Sequence, residues 1–136
     1  MTYVLASCLQ EAVFARLTGD TALAGLVGTA IFDAAPQGQL PSIYVAIGPE
    51  DVVARSDKTG RTAQHRFVVS IVTDEAGFQA AKRVAAVVDT ALTTARLPMA
   101  RGTVVSLSFY KAKARRERAG TRRRIDLQFQ ALVDDA

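Results

Sequence analysis

A protein that does covalent chemistry needs a nucleophile with a base, a metal-ligand set or a cofactor loop, and this chain is short of all of them. It has one histidine, His65, and one cysteine, Cys8. As a nucleophile and base they would need a neighbour that activates the thiol, and nothing beside Cys8 does so. The local pattern places Cys8 in a helix as a small buried hydrophobe and His65 at the start of a strand as a half-exposed residue. One histidine and one cysteine cannot build the usual zinc shells. Asp74-Glu75 read as first-turn helix acids, and Asp134-Asp135 as a solvated terminal pair. No GxGxxG or Walker-type glycine loop is present. These residues argue against an enzyme and require no cofactor.

What the chain does concentrate is positive charge. The stretch KAKARRERAGTRRR, residues 111–124, holds eight basic side chains and one acid, a balance of +7. The remainder holds nine basics and twelve acids, a balance of −3. This is a mildly acidic body with one basic projection, unlike a uniformly basic nucleic-acid-coating protein. The projection has three readings: a grip on nucleic acid, a solvated loop, or half of a contact with an acidic protein. Tyr110 is the one aromatic near it, so it offers no stacking platform, and no reading helix accompanies it. Non-specific phosphate contact stays open. Arginine outnumbers lysine in the stretch, and arginine is the residue of bidentate interface contacts. That favours a protein contact through Lys113, Arg115, Arg116, Arg118, Arg122, Arg123 and Arg124, with a small non-specific nucleic-acid-binding protein as the alternative.

The elements that position this stretch follow from periodicity. At 136 residues and 49% hydrophobic content the chain makes one domain, 1–136, able to bury a core without staples. No apolar run approaches the roughly 20 residues of a membrane span. The first residues lack the basic start of a signal peptide and read as a helix over 3–17, with Leu5, Leu9, Ala12, Val13 and Leu17 on one stripe. Asp20 caps a short second helix ending near Gly25 and Gly28. Strands are expected at 30–33, 42–48 and 65–73, with 34–41 and 49–64 as loops. The 65–73 strand is apolar on both faces and belongs at the centre of a sheet. A long alanine-rich helix follows over 74–97, with Phe78, Ala81, Ala85, Val88 and Leu92 on its buried face. The fold class is α+β: a mixed, largely antiparallel sheet with a long C-terminal hairpin, packed against the long helix and the N-terminal helix.

In that hairpin Val105, Leu107 and Phe109 on one arm, and Ile125, Leu127, Phe129, Ala131 and Val133 on the other, face inward. Opposed residues share a face, so the numbers of each pair must sum to an even value. A three-residue loop, Arg118-Ala119-Gly120, satisfies this. It sets Phe109 opposite Phe129, Leu107 opposite Ala131, Val105 opposite Val133, Arg115 opposite Arg123, and Arg116 opposite Arg122. A two-residue turn at Ala119-Gly120 would pair Glu117 with Arg122 but split the apolar stripes. Burial of two apolar stripes outweighs one exposed ion pair of about 0–1 kcal/mol. The arginines are thus opposed, which costs stability until an acidic neighbour or phosphate relieves it.

The order of elements, with the segments LQEAVFARLTGDTALAGLVGTAIFDAAPQGQLPSIYVAIG at 9–48 and DKTGRTAQHRFVVSIVTDEAGFQAAKRVAAVVDTAL at 57–92, resembles the tail-completion, or tail-terminator, family of long-tailed phages, including lambda-like terminators. DTALAGLVG and APQGQLPSIYVAIG carry the match; Ser42-Ile43 intervene before Tyr44, and Val72 stands where relatives commonly have an aromatic. The alanine- and arginine-rich style suits a high-GC host, whether for a phage, a prophage or a phage-like gene transfer agent. The resemblance implies a structural virion protein at the head–tail junction, made in a bacterial cytoplasm. It would form a homohexameric ring that ends tail-tube polymerisation and meets the tail tube protein and head-completion proteins. Double-stranded DNA would pass through its lumen, with no catalysis and no membrane. The basic hairpin would then dock on an acidic surface of a neighbouring subunit or head–tail partner. A second contact, toward the tube, is expected at the 55–61 loop through Arg55, Asp57, Lys58 and Arg61.

Overall fold

In the computed structural model, which describes residues 3–34, 37–55, 61–117 and 121–135, one five-stranded sheet is backed on one face by three helices. The elements run α1 (Ala6–Thr18), α2 (Thr21–Val27), β1 (Ile31–Phe32), β2 (Ile43–Ala54), β3 (Thr62–Thr73), α3 (Gln79–Thr93), β4 (Thr103–Arg116) and β5 (Arg123–Asp134). The strand order is β1-β2-β3-β5-β4. Only β1 and β2 run parallel. The α+β class and the long C-terminal hairpin are as the periodicity predicts, and β3, apolar on both faces, is the middle strand.

The helices form where their stripes can be covered. Leu5, Leu9, Val13 and Leu17 are buried at four-residue spacing along α1. Asp20 caps α2 by accepting from the Leu23 amide at 2.8 Å, and Gly28 ends it at φ 61°. The long helix is shorter than its apolar pattern. Gly77, at φ 80°, breaks the chain ahead of it, and Phe78 stands at its N-cap. Asp74 and Glu75 are therefore not first-turn acids; their amides bond to the Ser42 carbonyl and the Thr73 hydroxyl. Arg96 lies beyond the last turn.

The 49–64 segment is mostly strand rather than loop. β2 continues to Ala54 and β3 starts at Thr62, so the connection narrows to residues 55–61. Pro49 has no amide to give to a ladder, and the β2–β3 register shifts between Ile47 and Glu50 to pass it. β3 and β5 pair without interruption from Thr62↔Asp134 to Thr73↔Arg123. Their odd-numbered residues form the core face, where the Phe67 and Phe129 rings stack at 5.7 Å between centroids. His65 lies on this face at 0% exposure, so it is a core residue and not a half-exposed one. Val52 and Ala131 flank it across the ladders, which is what an alternating strand delivers to an odd position.

The hairpin keeps its central register and loses it at both ends. Phe109 opposes Phe129 and Leu107 opposes Ala131, as the parity argument requires. Shifts between Val104 and Ser106, and between Phe109 and Lys111, then set Val104 opposite Val133, Arg115 opposite Arg124, and Arg116 opposite Arg123. The Glu117 amide donates to the Arg122 carbonyl at 2.8 Å, so the pairs near the tip sum to an odd number. The Arg118-Ala119-Gly120 loop itself lies outside the described residues. Of the expected inward stripe on β4, Leu107 packs partly against the core, but Val105 is 50% and Phe109 46% exposed. β4 is an edge strand, and α3 covers only its root.

Alanine at Phe129 is expected to cost about 3–5 kcal/mol in denaturant unfolding, the range for emptying a packed aromatic site. Alanine at Phe109, on the same nominal stripe but half-exposed, should cost less than half as much. Equal losses would mean that the β4 stripe is buried after all.

Candidate functional site

The basic stretch is not a free arm. β5 is hydrogen-bonded to β3 on one side up to Arg123 and to β4 on the other, and the Glu117–Arg122 bond continues that pairing. The bulge at Tyr110 then sorts the side chains. Beyond it Lys111, Lys113 and Arg115 share the helix-free face with Gln128, Asp126 and Arg124, while Ala112 and Ala114 turn to the core side opposite Leu127 and Ile125.

Arg124 is the most engaged arginine. Its Nε donates to Asp126 Oδ1 at 2.9 Å, Nη1 to Glu117 Oε2 at 3.2 Å, and Nη2 to the Ser70 hydroxyl at 3.2 Å. Ser70, fully buried, donates on to Asp126 Oδ1 at 2.7 Å. Partial burial by itself would lower the Arg124 pKa, but the hydrogen bonds and charge of Asp126 and Glu117 more than offset this and raise it above its ordinary value. Arg115 reaches the other oxygen of Asp126 at 3.5 Å. Two carboxylates thus lie against the opposed pair Arg115 and Arg124, so the expected repulsion is met from within the chain at this point.

Arg122 donates to the Pro41 carbonyl at 3.3 Å and lies 6.0 Å from the Tyr44 ring, which ties the turn to the 37–42 segment. Arg123 sits 5.8 Å from the Phe78 ring, ahead of α3. Lys111, Lys113 and Arg116 have no ion-pair partner among the described residues, and all three are exposed. Arg118 lies outside those residues. The predicted surface therefore divides: Arg115, Arg122, Arg123 and Arg124 build the hairpin's own structure, while Lys113 and Arg116, with Lys111 beyond the predicted set, have no ion-pair partner among the described residues.

The second predicted contact is at the other end of the sheet. Arg55 donates to Gln64 Oε1 at 3.3 Å, and Arg61 lies 3.5 Å from Asp134; Asp57 and Lys58 lie outside the described residues. The length of β3, whose twelve residues span eleven rises of about 3.4 Å, puts the two sites roughly 37 Å apart. They are not one surface. The terminal acids are not simply solvated either, because Asp135 accepts two 2.8 Å bonds from Arg101. Those bonds hold the Asp135 carboxyl below its ordinary pKa and the Arg101 guanidinium above it.

Two features escaped the periodicity argument because bulges and edges create them. Arg66 stacks 4.2 Å over the Tyr110 ring and donates to Gln130 Oε1 at 3.0 Å, giving the helix-free face a cation–aromatic pair. A cleft of about 300 Å³ also opens between α3 and the hairpin, floored by Ile125 and Leu127 and walled by Phe109, Ala112, Lys82 and Ala86. As for chemistry, His65 Nδ1 lies 2.9 Å from Glu50 Oε2, and Nε2 has no partner among the described residues. Cys8 is partly rather than fully buried. Among the described residues no group of three His, Cys, Asp or Glu side chains is placed to hold a metal, and no helix is long and apolar enough to cross a membrane.

Comparison with known proteins gives two findings. The sequence model of the family described as tail completion protein gp17 matches residues 11–134. A chain in a solved structure described as the virion of a native gene transfer agent (GTA) particle is 52% identical, with a TM-score of 0.92 over 98% of this chain and 99% of that one. No curated protein matches the sequence.

Replacing Arg124 by Met removes three hydrogen bonds and leaves Glu117 without its cation. Urea unfolding should register a loss of about 1–3 kcal/mol. Alanine at the free Arg116 should stay within about 0.5 kcal/mol of the parent. Indistinguishable losses would show that the Arg124 network carries no structural weight.

Proposed function

The chain belongs to the tail completion protein gp17 family, and from that membership we propose that it is a structural virion protein that completes a phage-like tail. The observation that carries this reading is the extent of the likeness: 52% identity over nearly the whole of a chain found in a gene transfer agent particle. The family model runs from within α1 to the end of β5, so the likeness rests on nearly the whole fold rather than on one motif.

The finer reading is a tail terminator. Copies of the chain form a closed hexameric ring on the end of the tail tube, stop its polymerisation and present a surface to the head-completion proteins, with double-stranded DNA passing through the lumen. A ring needs head-to-tail contacts in which one patch meets a different patch. The fold supports such a part. Its sheet has two unlike ends, with the hairpin turn at one and the 55–61 connection at the other, and two unlike edges, β1–β2 and β4. The ends suit two axial partners and the edges suit neighbouring copies. In this reading the 55–61 loop faces the tube and the hairpin turn with Arg118 faces the head side. Nothing in the role calls for a reacting group, and His65 with Glu50 links β3 to β2.

Mixing the protein with purified tail tubes of its own particle tests this by electron microscopy. Tubes of fixed length, each with a six-fold ring at one end, are expected. Tubes that keep growing with no added density at their ends would remove the terminator reading. They would leave a salt-dependent nucleic-acid binder as the better account of the lysines on β4.

A further inference from the structure

Two opposite edges of the sheet carry charge of opposite sign that no Lys–Asp/Glu or Arg–Asp/Glu pair offsets among the described residues. On one side is β4, a 14-residue edge strand exposed on both faces from Ser108 to Arg116. Its Lys111 and Lys113 alternate on the helix-free face without ion-pair partners among the described residues. Two bulges interrupt the strand. Bulges and lysines blunt an edge against indiscriminate strand pairing, which leaves side chains rather than the backbone to make a specific contact.

On the other side, beyond the short β1, α1 and β2 enclose a cleft of about 490 Å³. It is lined by Glu11, Asp33 and Glu50, with Tyr3, Ser7 and Gln10. Each carboxylate has a neutral or imidazole neighbour: Ser7 donates to Glu11 at 3.4 Å, Gln10 donates to Asp33, and His65 holds Glu50 at 2.9 Å. None has a lysine or arginine partner among the described residues, and they do not gather as metal ligands do. Three acids in one cleft repel one another, and an incoming ammonium group relieves that as it relieves the lysines it comes from.

We propose that the β4 edge of one copy docks on the α1–β1–β2 cleft of the next, Lys111 and Lys113 entering among Glu11, Asp33 and Glu50. The occupant is a second copy of this chain, because the two surfaces are complementary in charge and lie on opposite edges of one sheet, the arrangement a head-to-tail ring requires. The inference rests on the ring reading above and names the contact that closes it. Steering by opposite charge also rejects the wrong pairing, since β4 against β4 sets lysine against lysine.

Charge exchange tests it in tube-capping assays, with circular dichroism melting to verify folding. Lys111→Glu with Lys113→Glu, and separately Glu11→Lys with Asp33→Lys, should each reduce ring-capped ends about tenfold or more, from like charges facing across the contact. All four changes in one chain should restore capping. Normal capping by either folded double variant, or a folded fourfold variant that stays inactive, would overturn the proposal. Disulfide trapping gives a second readout. Lys113→Cys with Asp33→Cys, on a Cys8→Ser background, should yield a covalent ladder closing at the ring in assembled material, and neither cysteine alone should. Rings without a ladder would overturn the contact and leave the ring reading intact. A parent protein that forms no ring would overturn the reading beneath it. Capping untouched by the lysine changes, with nucleic-acid binding lost, would reassign the lysines to phosphate.

Discussion

The uninterrupted pairing of β3 with β5 is the constraint on which the rest of the structure depends. It is the one long ladder in the sheet with no shift along its length, whereas β2 and β4, on either side, each shift to stay in register. That ladder fixes which residues face the helices, and so commits Phe67, Val69, Ile71, Ile125, Leu127 and Phe129 to one face. α1 and α3 then have an apolar surface to lie on. A slip of one residue would turn every one of these side chains to water, a loss far larger than any turn preference can oppose. The irregularities are accordingly pushed outward: to Pro49 on β2, and to Val105 and Tyr110 on β4.

Those outward irregularities decide what the basic stretch can do. The Tyr110 bulge rotates the distal strand so that Ala112 and Ala114 take the core side and Lys111, Lys113 and Arg115 the open face. Arg122, Arg123 and Arg124 are then drawn onto Asp126, Glu117, the Pro41 carbonyl and the rings of Tyr44 and Phe78. A charge cluster that reads as an arm is in fact a braced sheet edge. A braced edge holds its few free cations in fixed places, which suits a repeated contact between identical copies better than a loose electrostatic grip.

The same division suits a part whose work is to fit. Partly buried ion pairs such as Arg124 with Asp126 hold the hairpin together, and the lysines beside them stay exposed. The part-buried His65–Glu50 contact plays a comparable part across the sheet, joining β3 to β2. Two ends and two edges of unlike character give the molecule four distinguishable directions.

By itself, the sequence determined what local pattern can determine. The α1 stripe, the Asp20 cap, the centrality of β3, the α+β class and the odd-numbered core face of β5 all follow from periods of 3.6 or two residues and from one capping side chain. It also placed Phe109 opposite Phe129, by parity joined to a three-residue loop, although the pairs near the tip follow the other parity. What it could not hold is whatever depends on which element lies on top. His65 has the same alternation whether or not a helix covers it, and the stripe of β4 looks as apolar as that of β5 until α3 leaves it bare. The two bulges are single-residue shifts with no composition signal, yet they move Arg115 from Arg123 to Arg124 and set which cations stand free. Burial, edge position and register shifts are sums over distant contacts, so only the tertiary structure decided them.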